Sequence, residues 1–164
     1  MFRRILSLVG AVCLSTFLAA CGFEPVYGSN SPYRGKLTSV SFADPRTEND
    51  FGFLRYVQQE VPINQSNTKY LVNYSVSIGG GSALSDLRVR RGIVSYQVSR
   101  IETGDNLFSG NVRAISDYRE RSGPSGNIVN RRVLQTVDDA LLQQLAQMMH
   151  MELIAKFASC GPSC

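Results

Sequence analysis

The sequence predicts an α+β domain in which two helices pack on one face of a four-stranded, mostly antiparallel sheet. Four segments alternate apolar and polar residues, which is the pattern of half-buried strands. Two segments repeat apolar residues every three or four positions, which is typical of amphipathic helices. The order is β-α-β-β-β-α, and two apolar helix faces are most simply covered by one shared sheet.

The first strand and the first helix lie between residues 36 and 62. Val40 and Phe42 alternate within a short strand from Lys36 to Ala43. Thr47 and Asp50 have the spacing of a helix cap, and Pro62 marks the end of that helix. We expect the helix to bury the face that carries Phe51, Leu54, Val57 and Val61.

The next three strands are joined by short links, which favours an antiparallel meander. Gly79-Gly80-Gly81 predicts a break after the second strand and a flexible loop to Asp86. Gly104 suits the positive φ of the turn between the last two strands. The predicted inward residues are Tyr70, Val72, Tyr74, Val76 and Ile78, then Val94, Tyr96 and Val98, then Phe108, Val112 and Ala114.

The predicted outward faces of these strands carry small uncharged polar residues, namely Ser75, Ser77, Ser95, Gln97, Ser99, Ser109 and Asn111. Such a surface suits the water-lined lumen of another protein as well as open solvent. A polar loop over residues 117–130 then leads to a long helix over 131–157. We expect one stripe of this helix to be buried, formed by Leu134, Val137, Leu141, Leu145 and Met148.

Residues 1–20 have the layout of a secretory signal peptide, with Arg3 and Arg4 before an apolar run and small residues before the cut. The run of about 14 apolar residues is shorter than the roughly 20 that a spanning helix needs. Leu18-Ala19-Ala20-Cys21 resembles the lipobox of bacterial lipoproteins. The resemblance implies that Cys21 is acylated, and Gly22 after it favours the outer membrane. The alternative is an ordinary buried cysteine near a cleavage site.

The predicted organisation is a signal peptide (1–20), a lipidated tether (21–35), one α+β domain (36–157) and a C-terminal tail (158–164). Cys160 and Cys164 could form a disulfide in an oxidising compartment, but their spacing does not match a Cys-x-x-Cys redox motif. The formal net charge of +4 includes Arg3 and Arg4 of the leader. The remaining charge gives no support for a nucleic-acid partner.

Little in the sequence points to catalysis, a metal site or a cofactor. His150 is the one histidine of the chain, and we expect it at the edge of the core. Asp138 and Asp139 are neighbours in a helix and point about 100° apart, so they cannot share a site. We therefore expect a binding protein and not an enzyme.

The candidate binding residues are five arginines, Arg88, Arg90, Arg91, Arg131 and Arg132. The guanidinium group donates two hydrogen bonds at once to a phosphate. Arg131 and Arg132 lie at the predicted start of a helix, where negative charge is preferred. This unfavourable placement indicates a role in binding and not in stabilising the helix. The alternative is a solvated face.

The start Cys21-Gly22-Phe23, with Pro25 and Tyr27-Gly28, resembles the mature start of LptE, the lipopolysaccharide-assembly lipoprotein family, in its alphaproteobacterial form. The resemblance implies an outer-membrane lipoprotein that faces the periplasm, plugs the β-barrel LptD and binds lipopolysaccharide. The five arginines match the family's basic contacts by region only. The alternative function is a free-standing periplasmic accessory lipoprotein of a lipid-transport system.

Overall fold

The computed structural model describes residues 32–61, 67–84, 87–120 and 126–160, so Cys21 and the leader lie outside the described residues. By its contacts the chain divides into Met1–Arg34 and Gly35–Cys164, and the second unit holds the sheet. The elements in chain order are α1 (Pro32–Leu37), β1 (Val40–Phe42), α2 (Glu48–Glu60), β2 (Tyr70–Leu84), β3 (Leu87–Arg100), β4 (Asn106–Arg119) and α3 (Gly126–Cys160).

The four strands form one sheet in the order β1-β2-β3-β4. The pairs β2–β3 and β3–β4 are antiparallel, whereas β1 runs parallel to β2 because α2 carries the chain back across the sheet. The predicted α+β class and mostly antiparallel sheet are confirmed.

Both long helices pack against the same face of the sheet. The predicted inward residues of β2, β3 and β4 are buried or half-buried on this face, with Val72, Val94 and Val98 fully enclosed. The ring of Phe157 near the end of α3 lies 5.1 Å from that of Tyr70 and 5.2 Å from that of Phe108, between centroids. These contacts fix the C-terminal half of α3 across the sheet.

The cap of α2 forms as predicted, since Thr47 and Asp50 make a capping box. The side chain of Asp50 is also buried, and its Oδ1 accepts a hydrogen bond of 2.8 Å from the backbone N–H of Val76. Because β1 has only three residues, β2 extends past it, and Asp50 satisfies a backbone donor of β2 beyond that point.

The prediction of a flexible glycine loop is wrong for residues 79–84, because β2 continues to Leu84, and residues 85 and 86 lie outside the described residues. Gly79 and Gly80 pair with Arg91 and Arg90 of β3, and the ladder shifts register between Gly80 and Ala83. Glycine within a strand often marks such a bulge.

Four element boundaries also differ from expectation. The first strand begins only at Val40, since residues 32–37 form α1. β4 extends to Arg119, and α3 begins at Gly126 and ends at Cys160, so the predicted loop over 117–130 is much too long. Ile128 in the first turns of α3 is 69% exposed.

Two predicted core residues face solvent. Phe51 is 66% exposed and Met148 is 39% exposed, whereas Phe53 and Met149 are fully buried. The buried stripe consists of Phe53 and Val57 in α2 and of Val61 directly after it, and Phe51 points away from this stripe. α3 contacts both α2 and the sheet, so it buries a wider arc than a single stripe.

Candidate functional site

The second face of the sheet is not covered by any helix in the described ranges. Its middle consists of two rows that cross three strands, with Asn73 opposite Gln97 and Ser109 in one row, and Ser75 opposite Ser95 and Asn111 in the next. The hydroxyl of Ser95 donates a hydrogen bond of 2.6 Å to Asn111 Oδ1. We call this surface the open face.

The outward residues predicted for the three long strands all lie on this open face and are exposed, except Ser99, which is half-buried. The middle of the open face is therefore an uncharged platform of hydroxyl and amide groups. Such a platform can exchange hydrogen bonds with water or with another polar surface at little electrostatic cost.

The structure divides the three predicted arginines of β3 between the two sides of the sheet. Successive residues of a strand point to opposite faces, so Arg91 is exposed on the open face while Arg88 and Arg90 point to the helix side.

Arg90 is held by Asp138 of α3. Its Nε lies 2.7 Å from Oδ1 and its Nη2 2.6 Å from Oδ2, and the two side chains are only 18% and 26% exposed. The hydrogen bond to Asp138 raises the pKa of Arg90, although burial acts against it. Arg90 therefore joins β3 to α3.

Arg88 pairs with Glu120 at 2.6 Å, and both side chains are about two-fifths exposed.

Asp139, next to Asp138, binds Arg55 and Tyr56 of α2 at 3.1 and 2.6 Å. The hydrogen bond to Asp139 is the main cause of a raised pKa of Tyr56. The two neighbouring carboxylates thus serve different partners, as their angular separation predicts.

Arg131 and Arg132 are exposed on the N-terminal part of α3. Among the five predicted arginines, Arg91, Arg131 and Arg132 are the exposed ones. Sequence reasoning missed Arg113, which is exposed on the open face opposite Ile93. The alternation of β4 predicts that Arg113 points outward with Asn111. Only the pairing of β4 with β3 shows that Arg113 lies beside Ile93.

His150 is buried on α3, and its Nδ1 lies 4.0 Å from Glu60 Oε2 of α2. Burial lowers the pKa of His150, and the nearby Glu60 carboxylate partly offsets the effect. Within the described ranges no group of three or more His, Cys, Asp or Glu residues is placed to hold a metal ion.

Tyr96 and Glu152 meet above Gly110. A Cβ atom at Gly110 would lie 2.5 Å from Tyr96 Oη and 2.6 Å from Glu152 Oε1, so the close approach requires glycine. Tyr96 Oη is buried and makes no hydrogen bond of acceptable geometry, and it is the one such side-chain atom in the part of the chain that the structure describes. Burial, and then the adjacent Glu152, raise the pKa of Tyr96.

Cys160 at the end of α3 is disulfide-bonded, and Cys164 lies outside the described residues.

No helix within the described ranges has the length and apolar content to cross a bilayer.

Neither a protein-family profile nor a curated protein sequence matches the chain. Among solved structures, a proposed lipoprotein from Caulobacter crescentus CB15 aligns with a TM-score of 0.63 at 14% identity, over 76% of this chain and 95% of that one. A minor lipoprotein from Acinetobacter baumannii aligns with a TM-score of 0.54 at 12% identity, over 71% and 88%.

A rare lipoprotein B from Shewanella oneidensis aligns with a TM-score of 0.46 at 11% identity, over 74% of this chain and 92% of that one. At these identities the first two structures show that this chain shares their fold.

Proposed function

We propose that this chain is an outer-membrane lipoprotein of the LptE type, which plugs an LptD-type β-barrel and assists lipopolysaccharide assembly. The observation that carries the proposal is the start of the predicted mature chain. A lipobox ending at Cys21 is followed directly by Gly22-Phe23, Pro25 and Tyr27-Gly28. An acyl anchor there would hold the domain at the periplasmic side of the membrane.

The fold is consistent with this assignment, because the Caulobacter crescentus and Acinetobacter baumannii structures, which align with TM-scores of 0.63 and 0.54, come from proteins named as lipoproteins. The open face supports it as well. Asn73, Gln97 and Asn111 present amide groups in the uncharged middle of this face, and a water-lined barrel lumen offers many hydrogen-bond partners to such a surface.

Lipopolysaccharide recognition is assigned to the exposed arginines, Arg91, Arg131 and Arg132. Guanidinium groups exposed to solvent can bind lipid A phosphates in competition with divalent cations, and salt should weaken the contact. Arg90 is not assigned a contact with lipopolysaccharide, because two of its nitrogens already donate hydrogen bonds to Asp138. Its role is to hold β3 against α3.

The partner is tested by affinity capture from detergent extracts of the native host. Capture of one large outer-membrane β-barrel protein is the expected result. Recovery of inner-membrane or soluble partners instead would favour the alternative, a free-standing periplasmic accessory lipoprotein. Intact-mass analysis of the captured chain tests the anchor, and an unmodified Cys21 would contradict the proposal.

Ligand binding is tested with purified lipopolysaccharide at low ionic strength. The triple variant Arg91→Glu, Arg131→Glu and Arg132→Glu should weaken binding, and added salt should weaken it in the wild type. Arg46→Glu is a matched control, because Arg46 is also exposed but lies in the turn before α2. Equal binding by the triple variant and the wild type would remove the site assignment.

A further inference from the structure

The outer edge of β4 is the feature that the proposed function leaves unused. β4 spans Asn106–Arg119 and lies at the end of the sheet order, and no strand in the described ranges pairs with its outer edge. A strand of this length is well above the usual five or six residues. Its row of backbone N–H and C=O groups is a template for another strand.

Three side chains on this strand are arranged symmetrically. Ile115 is 64% exposed on the open face, and Arg113 and Asp117 are exposed on the same face two residues to either side. Neither Arg113 nor Asp117 takes part in an ion pair among the described residues. When a second copy of β4 runs antiparallel around Ile115, its Asp117 comes opposite Arg113 of the first copy and its Arg113 comes opposite Asp117. This arrangement of side chains is therefore complementary to itself.

We propose that two copies of this chain associate by antiparallel pairing of β4 with β4 around a twofold axis at Ile115. In this register Ile115 faces Ile115 of the second copy, and Arg113 faces Asp117 of the second copy at both ends. Residues directly opposite in an antiparallel pair share a face and interact. A twofold axis repeats every contact, so both charged pairs form together.

The helix side of the same edge fits this register. A groove of about 710 Å³ lies between β4 and α3 and is lined by Val112, Met148 and Met151 among others. The two methionines are 39% and 64% exposed. Pairing around Ile115 places Tyr118 of the second copy opposite Val112, on the helix side, where its ring can enter the groove. Methionine adapts well to an inserted aromatic ring.

The test is sedimentation equilibrium of the full chain in a neutral detergent, over a range of protein concentrations. The wild type should show a monomer–dimer equilibrium. Arg113→Asp and Asp117→Arg each create like-charge pairs at both ends of the interface, so each should raise the dimer Kd about tenfold or more. Arg119→Asp is the matched control, because Arg119 faces the uncharged Asn111 in this register and its reversal should have little effect.

Mixing the two single variants gives the sharpest result. Arg113→Asp and Asp117→Arg are each self-repulsive, but a heterodimer of the two has opposite charges at both ends. Differently tagged single variants should therefore capture each other with near wild-type affinity while neither captures itself. Two copies that merely share a detergent micelle would not give this pattern, because all variants have the same anchor and would share micelles equally. Far-UV circular dichroism checks that each variant is folded.

A wild type that stays monomeric up to about 1 mM would overturn the proposal. So would a dimer that both single variants leave unchanged, or a mixture that associates no better than its components. The inference concerns the chain alone, so its outcome is independent of barrel capture and of lipopolysaccharide binding.

Discussion

The carboxylate of Asp50 joins the first turn of α2 to the middle of β2, since its Oδ1 accepts a hydrogen bond from the backbone N–H of Val76 at 2.8 Å. Its Oδ2 accepts hydrogen bonds from the backbone N–H of Thr47 at 3.0 Å and of Arg46 at 3.3 Å. One buried side chain thus caps a helix and completes the hydrogen bonding of a strand.

We expect Asp50→Asn to lower the free energy of unfolding by about 2 to 4 kcal/mol. An amide has one accepting oxygen, so its NH₂ group would face a backbone donor on one of the two sides. Glu48→Gln, an exposed change in the same first turn, should cost about 0.5 kcal/mol or less. Urea unfolding measures both, and equal effects would show that the link to Val76 contributes nothing.

The pair of Arg90 and Asp138 should stabilise the fold more than the pair of Arg55 and Asp139. The first pair has two hydrogen bonds and is 18% and 26% exposed, whereas the second is 57% and 53% exposed. Double-mutant cycles to alanine should give a coupling of about 1 to 2 kcal/mol for the first and below about 0.5 kcal/mol for the second. Similar couplings would contradict the role assigned to Arg90.

Stability should fall as the pH drops below about 6.5, because burial lowers the pKa of His150 in the folded state. In that range the unfolded chain binds a proton that the folded chain does not, so acid favours unfolding. His150→Gln should flatten this part of the profile. Urea unfolding at about pH 7.5, 6 and 5 measures the slope. An unchanged slope in the variant would assign the pH dependence to other groups.

Gly110→Ala should destabilise the domain by about 1 to 3 kcal/mol, because the new methyl group would meet Tyr96 Oη and Glu152 Oε1. Gly79→Ala is the matched control, since Gly79 is also in a strand but has no atom within 4 Å of the added Cβ. That change should be neutral or stabilise by up to about 1 kcal/mol. Thermal unfolding separates the two, and equal shifts in Tm would contradict the close approach.

The glycine run and the long helix show where local pattern was insufficient. Three consecutive glycines are typical of a loop, but Gly79 and Gly80 are held extended by pairing with β3. Phe51 and Met148 were expected in the core, yet packing of α2 on α3 and the sheet exposes both. These outcomes depend on neighbours that are distant in the chain.

The sequence by itself determined the four alternating strands, the cap of α2 and most of the inward and outward residues, whereas the lipobox at Cys21 stays a prediction. These features depend on residues within a few positions of one another, and periods of 2 and 3.6 are local. Only the tertiary structure decided that β1 runs parallel to β2, that β4 lies at an open edge and that Arg90 pairs with Asp138. Arg90 and Asp138 are 48 positions apart, and strand alternation combined with helix packing brings one to the other while leaving Arg91 exposed.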